Sequence, residues 1–350
     1  MATADQQVDV TVMGAGIFGL SVAWAAARRG AKVRVIDPNG IGAGASGGIV
    51  GALAPHVPEQ WNPKKAFQLE SLLMAGDWWA EVARAGGGDP GYARTGRLQP
   101  LADDTQVARA QERAENAETL WQGRAVWEVV SAGSQGDWAP HSPSGWLVHD
   151  TLTGRIHPRQ ALSALAAALR DCNAEITEEG PEAGRVVWAT GVHDLTAMQV
   201  PGAGVKGQAA LFRLAAANRP QLFADALHIV PHADGTVAVG STSERKWETA
   251  DTTDSLLEDV IARACAVLPA LSQAPIIERW AGLRPRSKSR APVLGAHPAR
   301  PGQFIANGGF KIGFGMAPLV GEVMADLILE GRDRIPDPFR AQSGPNRKTS

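Results

Sequence analysis

The sequence predicts an α/β protein: one domain carrying a parallel β-α-β crossover, and a second built on a mixed, mostly antiparallel sheet. Three stretches lead to this. Residues 8–13 (Val-Asp-Val-Thr-Val-Met) read as a buried parallel strand, 14–19 as a glycine turn, 20–29 as an alanine-rich helix, and 32–36 as a strand ending at Asp37. Residues 185–189 form another apolar strand, ending in Thr190-Gly191. Residues 207–214, 227–231 and 236–240 form a strand-rich run, with Asp234-Gly235 as the hairpin turn between the last two.

The remaining elements follow in order. Residues 41–51 form a loop rich in Gly, Ala and Ser. Residues 64–84 form a helix with Phe67, Leu72, Met74 and Trp78 on its apolar positions, and 107–120 a charged, exposed helix. The Gly-, Pro- and Ser-rich stretch 123–144 reads as irregular. Pro158 suits the first turn of a helix over 159–170. Leu257, Val260, Ile261, Ala264 and Val267 give helical periodicity to 254–268, and 276–283 is strand-like. A short strand at 304–306 runs into Asn307-Gly308-Gly309, Pro318 opens a closing helix to residue 330, and a polar tail follows from Ile335.

Composition narrows the function. The chain has 350 residues, 34 Lys+Arg against 36 Asp+Glu, and a net charge of −2, which disfavours duplex-DNA binding. Hydrophobic residues at 44% and charged residues at 20% exclude bulk disorder. The two cysteines, Cys172 and Cys265, carry no CxxC or metal-ligand spacing, so a reducing, cytoplasmic setting is expected. The apolar stretch 8–27 has no basic start and holds Gly14, Gly16 and Gly19, so it is not read as a signal peptide, and no membrane span is expected. Tyr92 is the sole tyrosine, which leaves almost no candidate for phenol chemistry.

The chemistry begins at Gly14-Ala15-Gly16-Ile17-Phe18-Gly19. In a GxGxxG turn the first glycine makes the bend, the second admits a pyrophosphate to the backbone, and the third lets helix pack on strand. The helix N-terminus offers free N–H groups to the phosphates. Asp37, at the end of the second strand, is placed to accept the ribose hydroxyls of an adenosine. A Rossmann-like dinucleotide-binding unit is therefore predicted.

Three further features select a flavin over a nicotinamide. Small residues in the loop 44–53 let backbone approach a flat ring. The strand 186–189 with Thr190-Gly191 is the second feature. The third is the glycine return Asn307-Gly308-Gly309-Phe310-Lys311-Ile312-Gly313-Phe314-Gly315. Feeding a helix N-terminus, such a return stabilises negative charge on the N1–C2=O edge of a reduced flavin.

These segments, with Trp280-Ala281-Gly282-Leu283-Arg284-Pro285, resemble the D-amino-acid oxidase superfamily of flavoproteins, of the glycine oxidase and D-amino-acid dehydrogenase types. The resemblance covers nearly the whole chain. It implies FAD contacts at Gly14, Gly16, Ile17, Phe18, Gly19, Asp37, Pro38, Ala45, Ser46, Val50, Gly51, Ala52, Gly309, Phe310, Lys311, Ile312, Gly313, Phe314 and Gly315. It places a substrate carboxylate on Arg284, whose fork matches one bidentately. It also implies a discontinuous FAD-binding domain over 1–60, 150–200 and 290–340, a substrate domain over 61–149 and 201–289, and a polar tail over 341–350. The expected reaction is oxidation of the C–N bond of an amino acid or secondary amine by hydride transfer to flavin N5, with oxygen or an electron carrier as acceptor.

The chain departs from that pattern at two substrate-side positions. Lys311 stands where glycine oxidases have arginine, and His228, in His228-Ile229-Val230-Pro231, where they have tyrosine. The stretch 176–186 is also shorter than usual. These changes predict a substrate other than plain glycine, and a pH dependence near His228's ordinary pKa of ~6.5.

The histidines give no metal site: His228 and His232 are four apart, but Val230-Pro231 bars a shared helical face. His141, His149 and His157 are expected in solvated loops, and Arg284, Arg286, Lys288 and Arg290 read on pattern alone as a solvated basic run. The tryptophans are expected in packing. Two alternatives accompany the main reading: a flavin-dependent tRNA-modification oxidase, from the loop at 45–53, and a non-catalytic FAD-binding protein, from the two substitutions.

Overall fold

The computed structural model describes residues 8–197 and 200–341. β1 (Val10–Met13), α1 (Ile17–Ala27) and β2 (Val33–Ile36) form the expected crossover, followed by β3 (Ala52–Leu53) and α2 (Pro63–Gly86). Next come β4 (Arg97–Pro100), α3 (Asp104–Trp121), β5 (Trp127–Ser131), β6 (Trp146–Asp150) and β7 (Gly154–Arg155). The chain continues through α4 (Pro158–Asp171), β8 (Glu175–Thr177), β9 (Arg185–Trp188), α5 (Val192–Ala197) and β10 (Gly202–Arg213). It then forms β11 (Gln221–Ala224), β12 (Leu227–Pro231), β13 (Thr236–Gly240) and α6 (Ser255–Val267). It closes with β14 (Ile276–Ser287), β15 (Val293–Ala296), β16 (Phe304–Asn307) and α7 (Gly313–Ala325).

A six-stranded sheet runs in the order β15-β16-β9-β1-β2-β8. Its pairs are parallel except β15 with β16. β1 lies at its centre, with Val12 opposite Val35 on one side and Val187 on the other. A strand covered on both faces needs no polar alternation, which is why this segment reads as one apolar run. Helix α1 is buried along its whole length because α4 and α7 pack over it. Local chemistry sets the other helix starts. Asn62 accepts from the Lys64 and Lys65 N–H groups ahead of Pro63, and His157 accepts from Gln160 N ahead of Pro158.

The eight-stranded sheet runs β14-β10-β13-β12-β11-β4-β6-β5, with β11–β4 its parallel pair. One face packs on α6: Leu98, Phe212, Leu222, Ile229, Val237 and Val239 meet Leu257, Val260 and Ala264. The other face turns toward the carboxyl ends of β1, β2 and β9. The ladder sets a row across it, with Trp280 opposite Ala209, Ala209 opposite Gly240, Gly240 opposite His228, and His228 opposite Phe223.

Four expectations change. The stretch 123–144 holds β5, whose Trp127 is buried beside Trp121; as an edge strand covered on one face it shows little periodicity. β4 went unread because its Arg97 and Gln99 put polar groups at one face's positions. The closing helix begins at Gly313, five residues before Pro318, so the glycine return runs directly into it. Proline within the second turn forfeits only the N–H to residue 314. The segment from Ile335 is not simply a polar tail: Ile335 and Phe339 are buried, Phe339 meets Phe67 edge-on at 4.9 Å, and Arg340 bridges Leu294. The tail expected over 341–350 lies outside the described residues beyond Ala341.

A charged cluster joins α1, α2 and α7. Glu322 accepts from Arg28 and Arg29 at 2.6 Å each and from the Trp78 indole at 3.3 Å. Asp326, only 1% exposed, accepts from Arg29, Arg332 and Arg334. Removing one partner of a buried pair leaves the other charge without compensation. Asp326→Ala is therefore expected to lower stability by about 3–5 kcal/mol, read from the urea midpoint.

Candidate cofactor and substrate site

A cavity of about 1230 Å³ lies between the carboxyl ends of the six-stranded sheet and the row just described. Every residue singled out by sequence lines it except Gly19. Gly19 packs instead: a Cβ there would stand 1.9 Å from the Gly14 carbonyl oxygen, so it seats helix on turn. Gly14 holds φ +111°, and a Cβ on it would meet the Ala189 oxygen at 2.5 Å.

At the β1–β2 end, Asp37 accepts from Ala15 N at 2.8 Å and Asn39 N at 3.0 Å. It thus pins the turn, and a carboxylate's four acceptor positions leave capacity for hydroxyls. Ser46 Oγ accepts from Ile17 N at 3.0 Å, bringing the small-residue loop onto the first turn of α1. Beyond it, Gly51 at φ +66° sits so close to Ile156 that a Cβ would fall 1.8 Å from that carbonyl oxygen. The Ala52–Arg155 pairing of β3 with β7 holds this wall.

The opposite wall is the glycine return. Phe310 N donates to the Pro285 oxygen at 3.1 Å, tying it to β14. A Cβ on Gly309 would meet the Gly313 Cα at 2.9 Å and the Phe18 ring at 3.1 Å. α7 starts at Gly313 without a side-chain cap, and Gly313, Phe314 and Gly315 line the cavity. Its first-turn N–H groups and positive dipole end therefore face this space.

The sheet row supplies the polar groups. Arg284 projects from β14, leans over Gly207 on β10, and donates to Ser241 Oγ at 2.7 Å and the Thr242 oxygen at 3.2 Å. A Cβ on Gly207 would fall 1.9 Å from its Nη2, so only glycine leaves room for the guanidinium. Burial lowers the Arg284 pKa to about 10, against the raising influence of Glu244, so the group stays charged at neutral pH. Among the described residues it has no ion-pair partner. The expected solvated basic run is thus corrected: Arg284–Ser287 belongs to β14, and only Lys288–Arg290 are exposed.

His228 also lines the cavity. Burial, then the charges of Arg97 and Lys311, push its imidazole down to about 3. The expected titration near 6.5 is corrected: His228 is neutral across the physiological range. Lys311 is exposed where it lines the cavity, and its pKa is lowered by burial of its neighbourhood and by Arg284.

Sequence reasoning missed Arg97 and Phe223. Arg97 is 5% exposed and gives its Nε to Asp150 at 2.9 Å, while its guanidinium lies 5.8 Å from the Phe223 ring centre. The alternation Arg97-Leu98-Gln99 was the available signal. Behind the small-residue loop, His232 Nε2 lies 2.9 Å from the Ile49 oxygen, and burial first lowers its pKa, to about 4. His157, expected in a solvated loop, stacks against His232 at 4.9 Å and is partly buried. Trp280 lines the cavity beside Gly48, while Trp146 and Trp247 are exposed rather than packed. Among the described residues no group of His, Cys, Asp and Glu is placed to hold a metal, and no helix is long and apolar enough to cross a membrane.

Known proteins share this sequence and architecture. The chain is 27% identical to the bifunctional protein ThiO/ThiG of Trichormus variabilis, over 92% of this chain and 53% of that protein. It spans about half the length of such bifunctional relatives. It is 24% identical to glycine oxidase of Geobacillus kaustophilus, over 91% of this chain and 92% of that one. The crystal structure of glycine oxidase from that organism superposes with a TM-score of 0.83 at 21% identity, covering 97% and 99% of the two chains. Residues 9–327 match the DAO family, described as FAD dependent oxidoreductase, and the chain belongs to that family.

Proposed function

We propose that this chain is an FAD-dependent enzyme that oxidises the C–N bond of an amino acid or secondary amine. The observation that carries the reading is Arg284: a desolvated guanidinium with no ion-pair partner among the described residues, facing the glycine return across the cavity. A relative that acts on glycine fits the same chemistry.

The residues present fit FAD. The cavity exceeds the usual ~300–1,000 Å³ of a small-ligand pocket. The Gly14–Gly19 turn and the start of α1 would take the pyrophosphate, Asp37 the ribose, and residues 45–52 and 309–315 the ring system. The cofactor domain would be drawn from 1–60, 150–200 and 290–340, and the substrate domain from 61–149 and 201–289. FAD, when bound, would supply a two-electron hydride acceptor, leaving the amine-bearing carbon as an iminium that water would hydrolyse to a carbonyl compound and the released amine. The protein's part is orientation. Arg284 holds the carboxylate and fixes the reacting carbon, neutral His228 offers a hydrogen-bonding nitrogen, and Lys311 adds positive charge beside the ring. An amine that arrives neutral already has its nitrogen lone pair free, so hydride loss from the neighbouring carbon would need no dedicated base. The final electron acceptor would be dioxygen or an electron carrier. The two unpaired cysteines suit a reducing cytoplasm.

Denaturing the purified protein should release FAD, identified by chromatography, and Gly16→Val should lower cofactor content. Colourless protein that cannot be reconstituted with FAD would refute the reading. Arg284→Ala should cost about 2–5 kcal/mol in kcat/KM on amines that bleach the flavin anaerobically, and Arg284→Lys should recover part. Gly207→Ala should reproduce much of that loss without touching ligand, because the guanidinium must leave its seat.

The histidines set a pH signature. Their native pKa values lie below the unfolded ~6.5, so the unfolded chain takes up protons first as pH falls. Stability should be unaffected by these groups above pH ~6.5. Between pH ~6.5 and ~4 it should fall, by up to about 1.4 kcal/mol per pH unit for each imidazole. His228→Gln should remove part of that slope in pH-dependent denaturation. It should leave the shape of the kcat/KM profile between pH ~6 and ~8 unchanged, since no proton leaves His228 there.

A further inference from the structure

Building on the amine-oxidising reading, we propose that the site takes an amine bearing two acidic groups, with Arg284 holding one and Arg97, assisted by Lys311, holding the other.

The first support is the disposition of the cations. Arg284 ends above Gly207 on β10 and bonds Ser241, just past β13. Arg97 leans over Phe223 on β11. β13 and β12 lie between these positions. Two to three strand spacings place the guanidinium groups roughly 12 Å apart. A bidentate carboxylate carbon stands about 4 Å from its guanidinium carbon. About 4–5 Å then remains between two carboxyl carbons, which two or three intervening atoms span.

The second support is how Arg97 is held. It is buried, yet only its Nε is hydrogen-bonded, to Asp150 Oδ2, while Asp150 Oδ1 accepts from Thr153 N at 2.8 Å. Among the described residues its two terminal nitrogens have no protein partner, and the residue lines the cavity. An arginine serving only Asp150 would turn its fork onto both carboxylate oxygens. This one is steadied from behind and presents its remaining donors forward.

The third support is charge. Lys311 makes no hydrogen bond or ion pair among the described residues, and Arg97 and Lys311 both act on His228. Asp150 engages only the Nε of Arg97, so a substrate with one carboxylate on Arg284 leaves the terminal nitrogens of Arg97 and the Lys311 ammonium without an acceptor of their own. A second acidic group would supply it.

The test compares glutarate, with three carbons between its carboxyls, and butyrate. Binding to the FAD-loaded enzyme is read by calorimetry and by perturbation of the flavin absorption band. Glutarate should bind about ten- to a hundred-fold more tightly, as one added charged hydrogen-bonding contact predicts. Arg97→Met combined with Asp150→Asn removes both buried charges. The glutarate-to-butyrate ratio, read within each protein, should fall toward one there and in part in Lys311→Met. Should the double variant not fold, Arg97→Lys keeps a charge beside Asp150 but loses the fork, and the ratio should fall several-fold. A ratio near one in the wild type, or one unchanged in the Arg97 variants, overturns the second acidic site. If butyrate binds but Arg284→Ala does not weaken it, the carboxylate reading of Arg284 fails instead. If neither acid binds, both fall.

Discussion

The junction of β1, β9 and α1 admits no side chain, and the cavity depends on it. A Cβ on Gly14 would strike Ala189, and one on Gly19 would strike Gly14. This places the end of the central strand, the first turn of the most buried helix and the end of the neighbouring strand within contact of one another. Asp37 and Ser46 then reach back to the N–H groups of Ala15 and Ile17, so the second strand and the small-residue loop are hung from the same point. The glycine return is set against it through Gly309 and Phe18.

Charge on the eight-stranded sheet is sorted by face and by edge. Lys206 and Gln208 project away from the cavity and meet Glu244 and Asp254, and Asp254 also caps α6. Arg284 and Arg97 project into it. Most acids of this region are thus committed elsewhere: Glu244 to the Lys206–Gln208 network, Asp150 behind Arg97. The cavity is left with a positive character that the near-neutral composition conceals. Electrostatic preorganisation of this sort requires that balancing charges be anchored at a distance from the ligand.

Much of this was legible in sequence because it rests on short-range rules. The GxGxxG turn, the acid at the end of the second strand, the hairpin at Asp234-Gly235 and the helix opened by Pro158 are each specified within a few residues. Arg284 was legible only through resemblance, since the pattern Arg284, Arg286, Lys288, Arg290 taken alone suggests a solvated loop. Its burial comes from pairing with β10, where it lies opposite Val205, 79 residues earlier in the chain. Arg97 was passed over: it lies on a four-residue strand whose alternation, Arg97-Leu98-Gln99, is too short to stand out from the surrounding loop sequence. The neutral state of His228 likewise depends on neighbours from β4 and from the glycine return, and no local pattern reports them.

The order of strands in the six-stranded sheet bears on how the protein is made. β1 and β2 follow one another in the chain, yet β1's other neighbour is β9, and β9's is β16. The segment at Ile335–Phe339, from the far end of the described chain, packs onto α2. Contacts of such sequence separation give the sheet a high contact order, which slows folding. The Gly14–Gly19 turn and the glycine return it faces across the cavity are separated by some 290 residues. A cavity walled by both forms only when these distant segments meet, so its assembly is tied to completion of the six-stranded sheet from β2 to β16.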